Sequence, residues 1–167
     1  NTGTAATPVY SYQGNNFMVN EESVDLGTRS VPVVVDIDQD GDKDLIVATN
    51  GDYAQTLNYN DRLVLCKNIS SDTAKPILVL ADTNFLMLSK DTPILNIHPT
   101  FGDLNGDGKA DLIIGDANGY LLYYTNQSSG NNLSFNLQSR RFANITVRGY
   151  AAPQLFDLNK DGKLDLI

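Results

Sequence analysis

The sequence predicts an all-β protein of four-stranded antiparallel sheets, and three observations predict it. One acidic loop occurs three times in the same register. Short apolar, β-branched-rich runs flank the copies. The intervals between them hold further strand-like segments separated by turn signals, with no helical periodicity over a useful length.

The loops read Asp36-Ile-Asp38-Gln-Asp40-Gly-Asp42-Lys-Asp44, Asp103-Leu-Asn105-Gly-Asp107-Gly-Lys109-Ala-Asp111 and Asp157-Leu-Asn159-Lys-Asp161-Gly-Lys163-Leu-Asp165. Each sets an oxygen side chain at loop positions 1, 3, 5 and 9, with Gly at position 6. Calcium takes about six to eight oxygens at roughly 2.3–2.6 Å, and Gly permits the sharp turn that lets successive ligands converge. Position 7, held by Asp42, Lys109 and Lys163, is assigned through its backbone carbonyl, because a Lys side chain cannot ligate a cation. One such loop would read as a solvated acidic turn; three in register read as cation sites, one Ca²⁺ per complete loop and up to three. An EF-hand needs a bidentate Glu at position 12, and the chain has Val47 and Ile114 there. The loops run instead into the strand-like 45–48 and 112–115, and 33–35, 100–101 and 154–156 precede them. The unit is strand, metal loop, strand.

The other elements follow in order. The first copy supplies strand-like segments at 33–36, 45–49, 63–67 and 77–80, and the second at 100–103, 112–115, 120–125 and 133–137. Pro32, Pro99 and Pro153 each stand four residues before the first Asp and are expected at the first residue of a strand. Asn16-Phe17 and Asn84-Phe85 each follow a Pro by eight residues and extend the repeat upstream. The first Asp recurs after 67 and then 54 residues, chiefly because an insertion at 50–61 is replaced by Ala117-Asn118-Gly119 in the second copy. The copies run approximately 1–67, 68–125 and 126–167, as part of one domain. Several strands are apolar at nearly every position, so both faces are covered, as in sheets stacked around an axis: a β-propeller. The strands amount to about two and a half blades, which points to a longer parent chain supplying the rest.

The pattern Pro-x-x-x-Asp-[Ile/Leu]-[Asp/Asn]-x-Asp-Gly-x-x-Asp-Leu-Ile resembles the FG-GAP or VCBS-type repeat, and the second copy carries the Phe101-Gly102 pair. It is similar to the calcium-bearing blades of integrin α-subunit propellers and of bacterial secreted repeat proteins. The resemblance implies a seven- or eight-bladed propeller, an extracellular, secreted or cell-surface location, and calcium between a blade's first two strands. Asn105 and Asn159 stand where the pattern also takes Asp, leaving an oxygen ligand but one charge fewer.

Composition sets the remaining bounds. The chain has 167 residues, is 41% hydrophobic and carries a formal net charge of −8, which repels nucleic acid and anionic membranes. Ten of the 20 acidic residues occupy side-chain ligand positions, so three Ca²⁺ would bring the charge to about −2. No apolar run approaches the ~18 residues of a membrane helix. Cys66, the single cysteine, reads as a small buried apolar residue, and His98 has no second His or Cys to form a zinc or catalytic set. No catalytic residue is assigned. Four sequons begin at Asn68, Asn126, Asn132 and Asn144, a number near chance for this composition.

These readings favour an adhesion, interaction or display scaffold. The alternatives are a propeller or accessory module of a polysaccharide-degrading enzyme, and a glycan-binding lectin. The candidate ligand-binding loop is the 51–62 insertion, with Tyr53, Gln55, Asn58, Tyr59 and Asn60. Antiparallel connections alternate between two faces. The metal loops fall on one; the insertion and the crossovers 81–96 and 136–152 fall on the other, where a protein or glycan partner is expected.

Overall fold

The computed structural model describes residues 2–12, 18–19, 22–23, 26–50, 61–70, 72, 75–88, 94–130 and 132–167. Two short strands, β1 (Met18–Val19) and β2 (Glu22–Ser23), form a hairpin. β3 (Thr28–Val35), β4 (Asp44–Asn50), β5 (Asp61–Asn68) and β6 (Leu78–Phe85) then make a four-stranded sheet in chain order. β7 (His98–Gly102), β8 (Asp111–Gly115), β9 (Leu121–Asn126) and β10 (Phe135–Ser139) make a second sheet of the same order. β11 (Leu155–Phe156) pairs with β12 (Asp165–Leu166) around the third loop. All pairings are antiparallel, and the described residues contain no α-helix. The architecture is all-β, with antiparallel four-stranded sheets of the propeller-blade kind.

Side-chain alternation shows why these runs are apolar throughout. On β4 and β5, Ile46, Ala48, Leu63 and Leu65 face one way, into a core shared with Leu112, Ile114, Leu122 and Tyr124 of β8 and β9. The alternate residues Leu45, Val64 and Cys66 pack on the opposite face of the first sheet. Ile113, Leu121 and Tyr123 do the same on the second sheet, against Leu155 and Leu166 of the third copy. The large core is thus the interface between two sheets, and each central strand feeds two cores. Phe135 packs edge-on against Phe85 (5.8 Å) and Phe101 (6.3 Å), tying both sheets together. Such pairs contribute about 0.5–1.5 kcal/mol each beyond area burial. Cys66 is fully buried, and desolvation pushes its thiol pKa up, as suits a packing residue. At Gly115 an added Cβ would strike the Ala151 carbonyl and Pro153, so the chain leading into the third copy runs directly over β8.

Three expectations need correction. The first inner strand begins at Thr28, not at residue 33, so Pro32 lies inside β3 opposite Val47. Pro99 is likewise the second residue of β7, opposite Ile114. Both strands are sheet edges, bonded on one side only, so a missing N–H is tolerated there. The crossovers start later than 81 and 136, because β6 runs to Phe85 and β10 to Ser139.

The backbone repeats where the sequence does not. Arg29, Asn96 and Tyr150 each stand seven residues before the first Asp of a loop. All three occupy the left-handed region, with φ of 56°, 52° and 54°. Few non-Gly residues adopt that conformation, so its recurrence marks one kink built into each inner-strand approach.

Candidate metal centre

The acidic loops join β3 to β4, β7 to β8 and β11 to β12. Ladder pairing closes each loop: Val35 opposes Asp44, Gly102 opposes Asp111, and Phe156 opposes Asp165. Position 9 is therefore the first residue of the second strand.

Inside, one hydrogen-bond frame recurs. The position-1 carboxylate accepts the position-6 N–H: Gly41 to Asp36 (3.1 Å), Gly108 to Asp103 (2.8 Å) and Gly162 to Asp157 (2.9 Å). Position 3 accepts the position-5 N–H, at Asp38 (3.4 Å), Asn105 (2.8 Å) and Asn159 (2.9 Å). Position 5 accepts the position-7 N–H at 2.9 Å in every copy, from Asp42 to Asp40, Lys109 to Asp107 and Lys163 to Asp161. Position 9 accepts the position-2 N–H, from Ile37 to Asp44 (3.3 Å), Leu104 to Asp111 (3.2 Å) and Leu158 to Asp165 (3.0 Å). Gly at position 6 is left-handed in all three, with φ of 97°, 83° and 84°. Position 4 is left-handed as well: Gln39 at 63°, Gly106 at 80° and Lys160 at 62°. Sequence reasoning missed that second kink, since only one of the three residues is Gly.

The frame also reaches the third strand. Asp44 and Asp111 are fully buried, and their Oδ1 atoms accept the N–H of Asn68 (2.9 Å) and Asn126 (2.8 Å). The Asn68 side-chain oxygen Oδ1 in turn accepts the N–H of Ser70 (3.2 Å) and Ile77 (3.0 Å), and Oδ1 of Asn126 accepts the N–H of Ser128 (2.9 Å). Two of the four sequons are therefore a structural Asn-x-Ser pair that holds the third-to-fourth-strand connection. Their asparagines are buried. The signal in the sequence is an Asn-x-Ser motif repeated after the third strand of both copies, which a count of sequons alone does not single out.

Electrostatics distinguish the copies. Burial pushes the Asp44 carboxyl up, against the lowering bonds from Asn68 and Ile37, and Asp38 and Asp40 push it further. The Gly108 N–H, with its neighbours, holds Asp103 below the ordinary carboxylate value. Tyr123 donates its hydroxyl to Asp111 Oδ2 (3.0 Å); burial and that bond push the phenol up to about 12.

Asp36, Asp38 and Asp40 bring carboxylate oxygens within 4.8 Å of one another. Asp36 Oδ1 is buried and accepts no hydrogen bond among the described residues. Converging carboxylates with an orphaned buried oxygen fit a hard divalent cation. Lys67 already pairs with buried Asp38. At position 7, the Lys109 ammonium is engaged by the Ser128 carbonyl (2.6 Å). Tyr53, Gln55, Asn58, Tyr59 and Asn60 of the candidate ligand loop lie outside the described residues, as do Asn16 and Phe17. No helix of the described residues is long and apolar enough to cross a membrane.

Residues 103–167 match the family model of the FG-GAP-like repeat. The matched segment starts at the first Asp of the second loop and takes in the third. This stretch carries an FG-GAP-type repeat. No curated protein and no solved structure matches the chain.

Proposed function

We propose that this chain is part of an extracellular β-propeller in which Ca²⁺ bound at the acidic loops fixes the turn between each blade's first two strands. The propeller serves as an interaction scaffold. The observation that carries the metal reading is the convergence of Asp36, Asp38 and Asp40 with a buried, unpartnered Asp36 oxygen. Asp36, Asp38, Asp40 and Asp44 would hold the ion in the first loop, with Asp42 offering its carbonyl. Asp103, Asn105, Asp107 and Asp111, and Asp157, Asn159, Asp161 and Asp165, would do so in the others, with Lys109 and Lys163 offering theirs. Bound calcium supplies charge neutralisation among clustered carboxylates. Millimolar extracellular calcium suits loops of this type, whose dissociation constants run around 10⁻⁴–10⁻³ M. The extracellular assignment also follows the family resemblance.

Isothermal titration of the chain with calcium chloride tests this reading. Saturable binding of one to three Ca²⁺ is expected, together with a melting temperature several degrees lower in EDTA. No binding heat at millimolar calcium, with an EDTA melt unchanged, sinks it.

A further inference from the structure

Charge is spread unevenly along this chain. It has 20 acidic residues, yet none falls between Asp116 and Asp157. The only charged residues in that interval are Arg140, Arg141 and Arg148. All three lie in the crossover that leaves β10 at Ser139 and reaches β11 at Leu155, and it starts at the end of the sheets away from the acidic loops.

The fold gathers this crossover over the turn between β8 and β9. Thr146 forms a bridge with Tyr120, the Val147 N–H donates to the Gly119 carbonyl (3.0 Å), and the Tyr150 N–H donates to the Ala117 carbonyl (3.1 Å). Phe142 anchors the segment to the third core, 5.0 Å from the Tyr123 ring. The Arg141 guanidinium lies over the Tyr120 ring, 4.5 Å from its centroid, and donates to the Tyr120 hydroxyl at 3.1 Å. Ala143 and Asn144 both occupy the left-handed region, with φ of 51° and 57°. Non-Gly residues hold that conformation where the surrounding structure imposes it, so the surface is shaped before a partner arrives.

Its chemistry selects the partner. Arg140, Arg141 and Arg148 are exposed, and among the described residues none of the three forms an ion pair. The carboxylate of the turn, Asp116, is buried, and its Oδ1 accepts the N–H groups of Asn118 and Tyr120, each at 2.9 Å. The same crossover exposes Ile145, Val147 (51%) and Tyr150 (69%). Arginine, tyrosine and aliphatic side chains without lysine match the composition of protein–protein contacts, where Arg and Tyr are enriched and Lys is depleted. The planar guanidinium also matches a carboxylate bidentately. A sulfated sugar would use the guanidiniums and leave Ile145 and Val147 uncovered.

We propose that the 140–150 crossover and the Tyr120 turn form a docking surface for an acidic protein segment. Its carboxylates meet Arg140, Arg141 and Arg148, and its apolar side chains cover Val147 and Tyr150. The proposal names the partner class of the interaction scaffold and rests on that reading, but not on calcium binding.

The test uses the full chain in millimolar calcium. Fluorescence anisotropy follows a labelled peptide of repeated Glu-Asp-Leu-Tyr, with a Gln-Asn-Leu-Tyr peptide and a sulfated tetrasaccharide as comparators. The acidic peptide should bind with a dissociation constant on the order of 10⁻⁵ M, at least about tenfold tighter than either comparator. Arg140→Gln with Arg148→Gln, at exposed positions, should keep the melting temperature and weaken the acidic peptide about tenfold. Val147→Ser should weaken it about threefold. Absence of acidic-peptide binding overturns the proposal. So does binding indifferent to the double arginine substitution, or tighter binding of the tetrasaccharide. Calcium heats are read on the same samples. Failure of the peptide with those heats intact strikes this surface alone, and loss of the heats with the peptide still bound strikes the metal reading alone.

Discussion

The loop at 36–44 lies against Lys67 near the end of β5, whereas the loop at 103–111 has Thr125 at the matching place on β9. The two loops share one backbone frame, yet their charges are balanced differently. The first loop carries Asp38 where the second carries Asn105, and Lys67 pairs with that additional carboxylate. In the second loop Asp103 is held by the main chain, through the N–H groups of Gly106 (2.7 Å), Asp107 (3.2 Å) and Gly108 (2.8 Å). Asp36 accepts only the Gly41 N–H among the described contacts, and keeps an orphaned oxygen. A carboxylate count alone ranks the first loop as the tighter calcium site. Lys67 removes that advantage: the resident ammonium must yield before Asp38 can serve a metal. The first loop adds an ion pair to the shared frame, and the second adds further backbone N–H bonds to Asp103.

The largest expected effect tests what the loops have in common. Asp44 and Asp111 are the buried posts that tie each loop to the third strand. Asp111→Ala leaves the Leu104 and Asn126 N–H groups and the Tyr123 hydroxyl without an acceptor. It should cost about 3 kcal/mol in metal-free urea unfolding. Asp44→Ala strands two N–H donors and should cost somewhat less. Equal stability of both variants to wild type would show that the posts are dispensable and that the loops share a shape without a shared anchor.

The next effect tests the difference. Lys67→Thr gives the first loop the residue found beside the second, and leaves Asp38 buried without its cation. Metal-free stability should fall by about 2 kcal/mol, while calcium affinity at this loop rises about tenfold. Adding Asp38→Asn should restore metal-free stability to within about 1 kcal/mol, as a double-mutant cycle would report. The bond to Asp38 raises the Lys67 pKa above its ordinary 10.5, so the stabilisation is complete below that value and is lost only as pH rises beyond it. The Lys67→Thr deficit should therefore stay constant from neutral to mildly alkaline pH. A deficit that vanishes near neutrality, or calcium affinity that falls in the variant, removes the competing-ammonium account.

Much of this was legible in the chain. Loop spacing located the three acidic loops and their recurring positions, and the apolar runs located the eight strands of the two four-stranded sheets. Their boundaries were less visible. Pro32 marks a strand start only if the strand is bonded on both sides, and β3 is an edge. The position-4 kink was hidden because Gln39 and Lys160 adopt a backbone conformation more usual for Gly. Lys67 lies 29 residues from Asp38, on a strand whose register against the loop emerges only on folding. The left-handed position before each inner strand was hidden too: Arg29, Asn96 and Tyr150 share no chemistry, only a place in the repeat.

The smallest effect concerns the link between the two loops. Gln39, at position 4 of the first loop, donates its Nε2–H to the Gly108 carbonyl at position 6 of the second, at 2.8 Å. The bond is exposed, so its loss in Gln39→Ala should cost about 0.5 kcal/mol or less in the metal-free protein. Its consequence for calcium is more telling. On the calcium reading, an ion in the second loop fixes Gly108, Gly108 orients Gln39, and Gln39 orders the backbone of the first loop. Coupling of this kind is reciprocal, and a bond of that size corresponds to a change of about twofold in each loop's affinity on filling the other. Calorimetric isotherms of wild type should therefore show weak positive coupling that Gln39→Ala abolishes. With the second loop silenced by Asp107→Ala, Gln39→Ala should leave the remaining isotherm unchanged. Coupling that survives in Gln39→Ala would mean that the shared core between the sheets, and not this side chain, carries the signal from loop to loop.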